Sequence, residues 1–120
     1  MKQETLAAVD LGSNSFHLQI GRARVAQRIR QLNDQLKEGL AAIRGVRLVT
    51  PRDPALSAGL VAFEVEGVAP ENVVKRLLER RIVASTSPYR VTYARLAPSL
   101  VNTPAEVETA LREVHALARA

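Results

Sequence analysis

Residues 23–44 read ARVAQRIRQLNDQLKEGLAAIR, and their apolar side chains recur at the spacing of an α-helix. Steps of four, three, four, four and three residues place six of them on one stripe about six turns long: Val25, Ile29, Leu32, Leu36, Leu40 and Ile43. Gly45 follows and suits the left-handed position that ends many helices. Gly39 costs this helix roughly 1 kcal/mol relative to alanine, so we interpret it as a point of close packing. The stretch therefore predicts one long amphipathic helix over a core.

Short strands and two more helices are predicted after this helix. Four segments have the apolar patterns of strands: 46–50, 60–66, 82–85 and 91–96. A helix over 70–80 has Pro70 in its first turn and would turn Val73, Val74, Leu77 and Leu78 inward. The capping box Thr103-Pro104-Ala105-Glu106 opens the last helix. Because paired strands follow one another without a helix between them, we predict an α+β two-layer sandwich, with a mostly antiparallel sheet and helices on one face.

The residues before the long helix predict a β-hairpin. Residues 6–9 form a short apolar run, residues 11–14 have turn chemistry, and residues 16–20 alternate apolar and polar side chains. Gly21 would end the hairpin. We therefore expect a hairpin segment at 1–22 joined to an α+β domain at 23–120, together one folded unit with a joint near residue 22.

The composition excludes several functional classes. The 120 residues include no cysteine and two distant histidines, His17 and His115, so neither thiol chemistry nor a metal site is expected. The apolar run at 6–9 is too short for a signal peptide, and no stretch is long enough to span a membrane. These features predict a soluble, cytoplasmic protein.

The net charge of +5 is concentrated between residues 22 and 52. This region holds two acidic residues, Asp34 and Glu38, and eight basic ones: Arg22, Arg24, Arg28, Arg30, Lys37, Arg44, Arg47 and Arg52. Such a region could attract nucleic acid, but an Arg-rich helix face in solvent has the same composition. Because aromatic side chains for base stacking are scarce, we do not expect nucleic-acid binding.

Residues 5–22, TLAAVDLGSNSFHLQIGR, resemble the N-terminus of the exopolyphosphatase and guanosine-pentaphosphate phosphatase family, which has the actin-like ATPase fold. The resemblance implies that Asp10 lies near a Mg²⁺ ion and that Gly12, Ser13, Asn14 and Ser15 contact phosphate. Phosphoryl-transfer sites enclose phosphate from several sides, and we find no second loop, catalytic carboxylate or second lobe after residue 22. The segment is therefore interpreted as structural, with weak phosphate or nucleotide binding as an alternative.

Residues 23–118 resemble the C-terminal small domain of class V pyridoxal-phosphate aminotransferases, the group that includes cysteine desulfurases. The resemblance lies in three separated segments: RQLNDQLK at 30–37, TP at 50–51 followed by SAGLVAF at 57–63, and YARLAPSLVNT at 93–103. It implies that Arg95 binds the α-carboxylate of an amino-acid substrate. Val101 stands where a tyrosine is common in that family. The two resemblances together predict a chimera.

We find neither the remaining parts of the phosphatase site nor those of the aminotransferase site in this sequence. Pyridoxal phosphate needs a Schiff-base lysine, and the three lysines fit none: Lys2 is near the N-terminus, and Lys37 and Lys75 are expected on charged helix faces. We therefore predict no catalytic residues, no bound cofactor and no enzyme activity. The hairpin would complete the sheet, and leftover apolar surface would be covered in a homo-oligomer, a dimer. The alternative is a fragment of a class V enzyme that acts only with its missing large domain.

Overall fold

A computed structural model describes residues 14–120. Within that range the chain forms three helices and four strands, in the order α1 (Asn14–Ala42), β1 (Val46–Leu48), β2 (Val61–Val65), α2 (Pro70–Glu79), β3 (Ser85–Thr86), β4 (Ala94–Leu96) and α3 (Pro104–Arg119). A single turn of 3-10 helix, Pro54–Leu56, lies between β1 and β2. The predicted α+β class is confirmed.

The four strands form one antiparallel sheet in the order β1-β2-β4-β3. The register pairs Val61 with Leu96 across β2 and β4, and Ser85 with Arg95 across β3 and β4. Alternate side chains of a strand point to opposite faces. Val61, Phe63 and Val65 are therefore buried together on the face that the helices cover.

Helix α1 supplies one wall of the core. Leu32, Leu36 and Leu40 from its predicted stripe are at most 1% exposed. Gly45 ends the following turn with φ +86°, a left-handed value that glycine adopts without strain. The helix packs against α3, β1 and β2, so it joins the helical layer to the β1–β2 side of the sheet.

Helix α3 begins at the predicted capping box. The Thr103 hydroxyl accepts a hydrogen bond from the Glu106 backbone N–H, and the Glu106 carboxylate accepts one from the Thr103 N–H. The buried face of the helix contains Val107, Leu111 and Val114, as the spacing predicts.

The prediction of a second hairpin strand at residues 16–20 is wrong. Residues 14–42 form one continuous helix, so residues 16–20 are helical and Gly21 lies inside α1 instead of ending a hairpin. Extending an established helix fixes one residue for each new hydrogen bond, which makes propagation easy once the downstream stripe is packed. The predicted first strand, residues 6–9, lies outside the described residues.

Smaller differences concern the strand ends and one helix face. Residues 82–84 are not paired with another strand, so β3 is shorter than the predicted segment 82–85. Similarly, β4 begins at Ala94 and is shorter than the predicted segment 91–96. Leu78 is 59% exposed, whereas Val73 and Leu77 are buried. The buried face of α2 is therefore narrower than the apolar pattern indicates, because α2 contacts the core along one side only.

Candidate functional site

A cleft of about 710 Å³ opens at the end of the sheet where β4 ends and β3 begins. Its walls are the segment 80–85, the segment 95–99 and the first two turns of α3. Buried Leu36, Leu96 and Val107 form its floor. A cleft of this size with an apolar floor and a few polar groups has the general character of a ligand site.

Arg95 lies on this cleft, as the sequence resemblance requires of a binding residue. It sits in β4 between Ala62 of β2 and Ser85 of β3. Its Nε donates a hydrogen bond of 3.3 Å to the Ser85 hydroxyl. Because alternating residues of β4 are buried, Arg95 points away from the helices, toward the open face of the sheet.

The loop between β4 and α3 is held in place by its own polar side chains. The side-chain oxygen Oδ1 of Asn102 accepts hydrogen bonds from the Ser99 N–H at 2.8 Å and from the Ser99 hydroxyl at 3.2 Å. The Asn102 amide donates to the Glu106 carboxylate at 3.1 Å. This bond, followed by the backbone bond from Thr103, holds the pKa of Glu106 below its ordinary value. The Glu106 carboxylate is thus committed to the cap, although it lines the cleft.

Helix α1 ties the same loop to the rest of the domain. Arg28 donates to the Asn102 carbonyl at 3.1 Å, and Gln35 donates to the Pro104 carbonyl at 3.1 Å. The long helix therefore fixes the cleft wall that follows Arg95.

Two more arginines line the cleft, Arg80 and Arg81. Arg80 approaches Glu113 of α3 at 3.8 Å, and Arg81 has a left-handed backbone with φ +64°. A positive φ is uncommon for a residue other than glycine. The cleft is thus lined by Arg80, Arg81 and Arg95, with the committed Glu106 as its acidic member.

A second polar cluster occupies the open face of the sheet near its other end. Arg47 of β1 pairs with Glu64 of β2, its cross-strand neighbour. The hydrogen bond to Glu64 is the main cause that raises the pKa of Arg47, and nearby Tyr93 contributes in the same direction. A smaller cleft of about 400 Å³ lies beside this cluster. Since each charge there is paired, the cluster is interpreted as cross-strand stabilisation.

Lys37 does not lie on a charged helix face, which corrects the sequence prediction. It is 2% exposed, and its ammonium donates to the Ser57 hydroxyl. One turn earlier on the same helix, the buried Asn33 amide donates to the Ala58 carbonyl at 2.5 Å. These two bonds hold the β1–β2 loop against α1 and give both buried donors a partner.

Two lysines lie within the described residues, Lys37 and Lys75. Lys37 is committed to Ser57, and exposed Lys75 lies on α2; neither lines the cleft that contains Arg95. Residues 14–120 also contain no group of three or more side chains able to hold a metal ion. No helix in this range is long and apolar enough to cross a membrane.

Two of the predicted phosphate-binding residues lie within the described range. Asn14 and Ser15 are the first two residues of α1. Asp10, Gly12 and Ser13 lie outside the described residues, so phosphate binding stays a prediction.

Some residues of the cleft were not singled out from the sequence. Ser85 stands in no motif of the sequence, and only the strand register places it beside Arg95. The left-handed conformation of Arg81 could not be predicted from the sequence, because it depends on the direction of the chain after the end of α2. Asn102 had a weak signal in its position before the capping box.

Comparisons with known proteins agree with one of the two sequence resemblances. The family model for class-V aminotransferases matches residues 4–107. The match spans the predicted joint near residue 22, and nothing found supports a chimera or an exopolyphosphatase segment. The comparison with curated proteins finds no match.

Several solved structures have the same fold. The apo structure of a cysteine desulfurase from Thermococcus onnurineus NA1 superposes with a TM-score of 0.77 at 24% identity, covering 88% of this chain and 28% of that one. The cystine C-S lyase C-DES, in complex with its reaction product cysteine persulfide, gives 0.65 at 26% identity, over 74% of this chain and 23% of that one. A NIFS-like protein gives 0.69 at 18% identity, over 81% and 29%.

The chain therefore spans about a quarter of the length of these structures. The family match, by contrast, covers most of the chain itself, and the α+β fold agrees with it. The chain belongs to the class V aminotransferase family.

Proposed function

We propose that the chain is the small domain of a class V pyridoxal-phosphate enzyme and that Arg95 binds the carboxylate of an amino-acid substrate. The observation that supports this most directly is the position of Arg95, which lines the cleft of about 710 Å³ and contacts Ser85. A relative with 26% identity is a cystine C-S lyase, whose name indicates an amino-acid substrate.

The contact with Ser85 prepares the guanidinium for a carboxylate. Ser85 accepts from Nε, and no other side-chain hydrogen bond of Arg95 is found within residues 14–120. The two terminal nitrogens can therefore donate together to the two oxygens of one carboxylate. This planar, bidentate geometry is what distinguishes arginine from lysine at such sites.

We propose further that the isolated chain has no catalytic activity. The cofactor of this family supplies the electron sink for amino-acid chemistry, and the described residues offer no lysine for it at the Arg95 cleft. Catalysis would require a large domain that binds the cofactor and places it next to the substrate held by Arg95.

Nuclear magnetic resonance of the Arg95 Nε–H group tests carboxylate binding. We expect L-alanine to shift this resonance in a saturable way, and ethylamine, which differs only in lacking the carboxylate, to leave it unchanged. Binding will be weak, because one partly exposed ion pair contributes at most about 1 kcal/mol. Arg95→Lys should abolish the saturable response at the neighbouring Ser85 amide.

Arg90→Gln is the matched control, since Arg90 is exposed on the β3–β4 turn and does not line the cleft. The proposal is contradicted if ethylamine and L-alanine act alike, or if Arg90→Gln weakens the response as much as Arg95→Lys.

We also propose that the chain self-associates as a dimer. Leu60 precedes β2 and Leu100 and Val101 follow β4, so the antiparallel register places these exposed side chains at the same end of the sheet. Covering them would remove apolar surface from water. Light scattering over a hundredfold range of protein concentration decides this, and a constant monomer mass refutes it.

A further inference from the structure

The pairing between β3 and β4 ends abruptly at the cleft. The register pairs Thr86 with Ala94 and Ser85 with Arg95. Continuing this register by two residues would pair Val83 with Ala97. No backbone hydrogen bond joins residues 82–84 to residues 97–99 within the described range, and both segments instead form walls of the cleft.

Local chemistry explains why the two segments separate. The left-handed Arg81 turns the chain after α2, and the Ile82 N–H is used by the Leu77 carbonyl. On the other side Pro98 has no N–H to donate, and the Ser99 N–H is used by the Asn102 side chain.

The separation leaves backbone groups just after β4 facing the cleft. Tyr93 and Arg95 pair toward β3, so two residues further along Ala97 presents its N–H and C=O on the same side. Val83, on the opposite wall, is 81% exposed. Unpaired strand groups of this kind are a template for an added strand.

The floor and the rim of the cleft fit one kind of strand. The floor is apolar, formed by Leu36, Leu96 and Val107, and would accept every second side chain of an extended segment. The rim is basic through Arg81 and Arg95, while Glu106 is committed to the helix cap. Charge complementarity therefore selects an acidic segment.

We propose that this cleft binds an extended, acidic polypeptide segment of a partner chain, which adds a strand next to Ala97 and places apolar side chains on the floor. This mode of recognition takes its affinity from main-chain hydrogen bonds and its specificity from alternate side-chain contacts. It does not depend on the proposed binding of a substrate carboxylate by Arg95.

Peptide binding to the full chain tests the inference. The probe is the capped pentapeptide Glu-Val-Thr-Val-Glu, measured by calorimetry. The first control is the same peptide with N-methyl groups on alternate residues, which keeps every side chain but removes backbone donors. We expect the methylated peptide to bind about tenfold more weakly or worse, as the loss of one or two hydrogen bonds implies. The second control, Lys-Val-Thr-Val-Lys, should not bind.

Protein variants and amide exchange locate the binding. Arg81→Gly removes one rim charge in a residue type that tolerates the same φ, and should weaken binding and reduce its salt dependence. Arg76→Gln, on α2 outside the cleft, should have no effect. Hydrogen exchange of the Ala97 amide should slow when the acidic peptide binds.

Three outcomes overturn the proposal. One is the absence of saturable binding by the acidic peptide. Another is equal binding of the methylated peptide, which would mean that charge alone is recognised. The third is an Ala97 amide that is already protected without peptide at concentrations where the chain self-associates, which would assign the cleft to a second copy. Loss of the L-alanine response at Arg95 would leave the strand proposal standing, so the two proposals fail separately.

Discussion

Replacing Gly39 by alanine should destabilise the protein although it improves helix propensity. Gly39 lies in α1 on the side that meets α3. A Cβ at this position would lie 2.6 Å from Cδ2 and 2.9 Å from Cγ of Leu111, and would also clash with Cδ1. Leu111 is 8% exposed, so its side chain cannot swing into solvent. Because Cγ itself is too close, rotation of the isopropyl group alone does not relieve the overlap.

The magnitude follows from two opposing contributions. Alanine in place of glycine in a helix interior is favourable by about 1 kcal/mol. Overpacking a filled core costs about 1–3 kcal/mol, and the need to move the whole Leu111 side chain places this site at about 2–3 kcal/mol. We therefore expect Gly39→Ala to lower the free energy of unfolding by about 1–2 kcal/mol.

Urea unfolding monitored by circular dichroism measures the effect, with Gly21→Ala as the matched control. Gly21 lies in the same helix, and no heavy atom of the described residues lies within 4 Å of its added Cβ. Gly21→Ala should therefore stabilise the protein, by up to about 1 kcal/mol. In a Leu111→Ala background the clash is removed, so Gly39→Ala should become stabilising, with a coupling of about 2–3 kcal/mol between the two sites.

The reasoning is refuted if Gly39→Ala stabilises the wild-type chain as much as Gly21→Ala does, or if the double-mutant cycle shows no coupling. Either result would mean that α1 and α3 do not meet at Gly39 and Leu111.

Three further outcomes are expected. Folding lowers the pKa of Glu106 from its ordinary value of 4.5. The ionised carboxylate therefore stabilises the fold above pH 4.5, and this stabilisation is lost as the pH falls through the lowered pKa. Over the same fall in pH, the difference in urea midpoint between wild type and Glu106→Gln should shrink. Ser57→Ala should destabilise by about 1–3 kcal/mol by removing the acceptor of buried Lys37, whereas Lys37→Met should cost less; equal losses in thermal unfolding would argue against this. Phe63→Ala should cost about 3–5 kcal/mol by calorimetry, since Phe63 is fully buried, and a smaller loss would indicate a collapsed site.

Local patterns were sufficient for most of the fold. The stripe from Val25 to Ile43 predicted the long helix, alternation predicted β2, and Thr103 and Glu106 predicted the start of α3. Each of these signals lies within a few residues and depends on helix or strand geometry alone. The family resemblance of residues 23–118 rested on the same local segments.

The same kind of pattern failed at residues 16–20. Alternation over five residues is too short to decide between a strand and a helical turn, and the neighbouring stripe decided it by extending α1 upstream. The prediction that Lys37 lies on a charged helix face was wrong for a related reason. Its position next to the apolar stripe was visible, but its burial depends on the β1–β2 loop, which folds back from twenty residues away.

The features of the fold and of the candidate site likewise fall into those that the sequence predicted and those that only the structure showed. The sequence by itself determined the fold class, the long helix and the capped last helix, and it identified Arg95 as the candidate carboxylate-binding residue, because these depend on local spacing and on motif resemblance. Only the tertiary structure decided that Ser85 holds Arg95, that Arg81 shares its cleft, and that the β3–β4 pairing stops there. These features arise from strand register and from the separation of two distant segments, and neither quantity is encoded in the neighbours of any one residue.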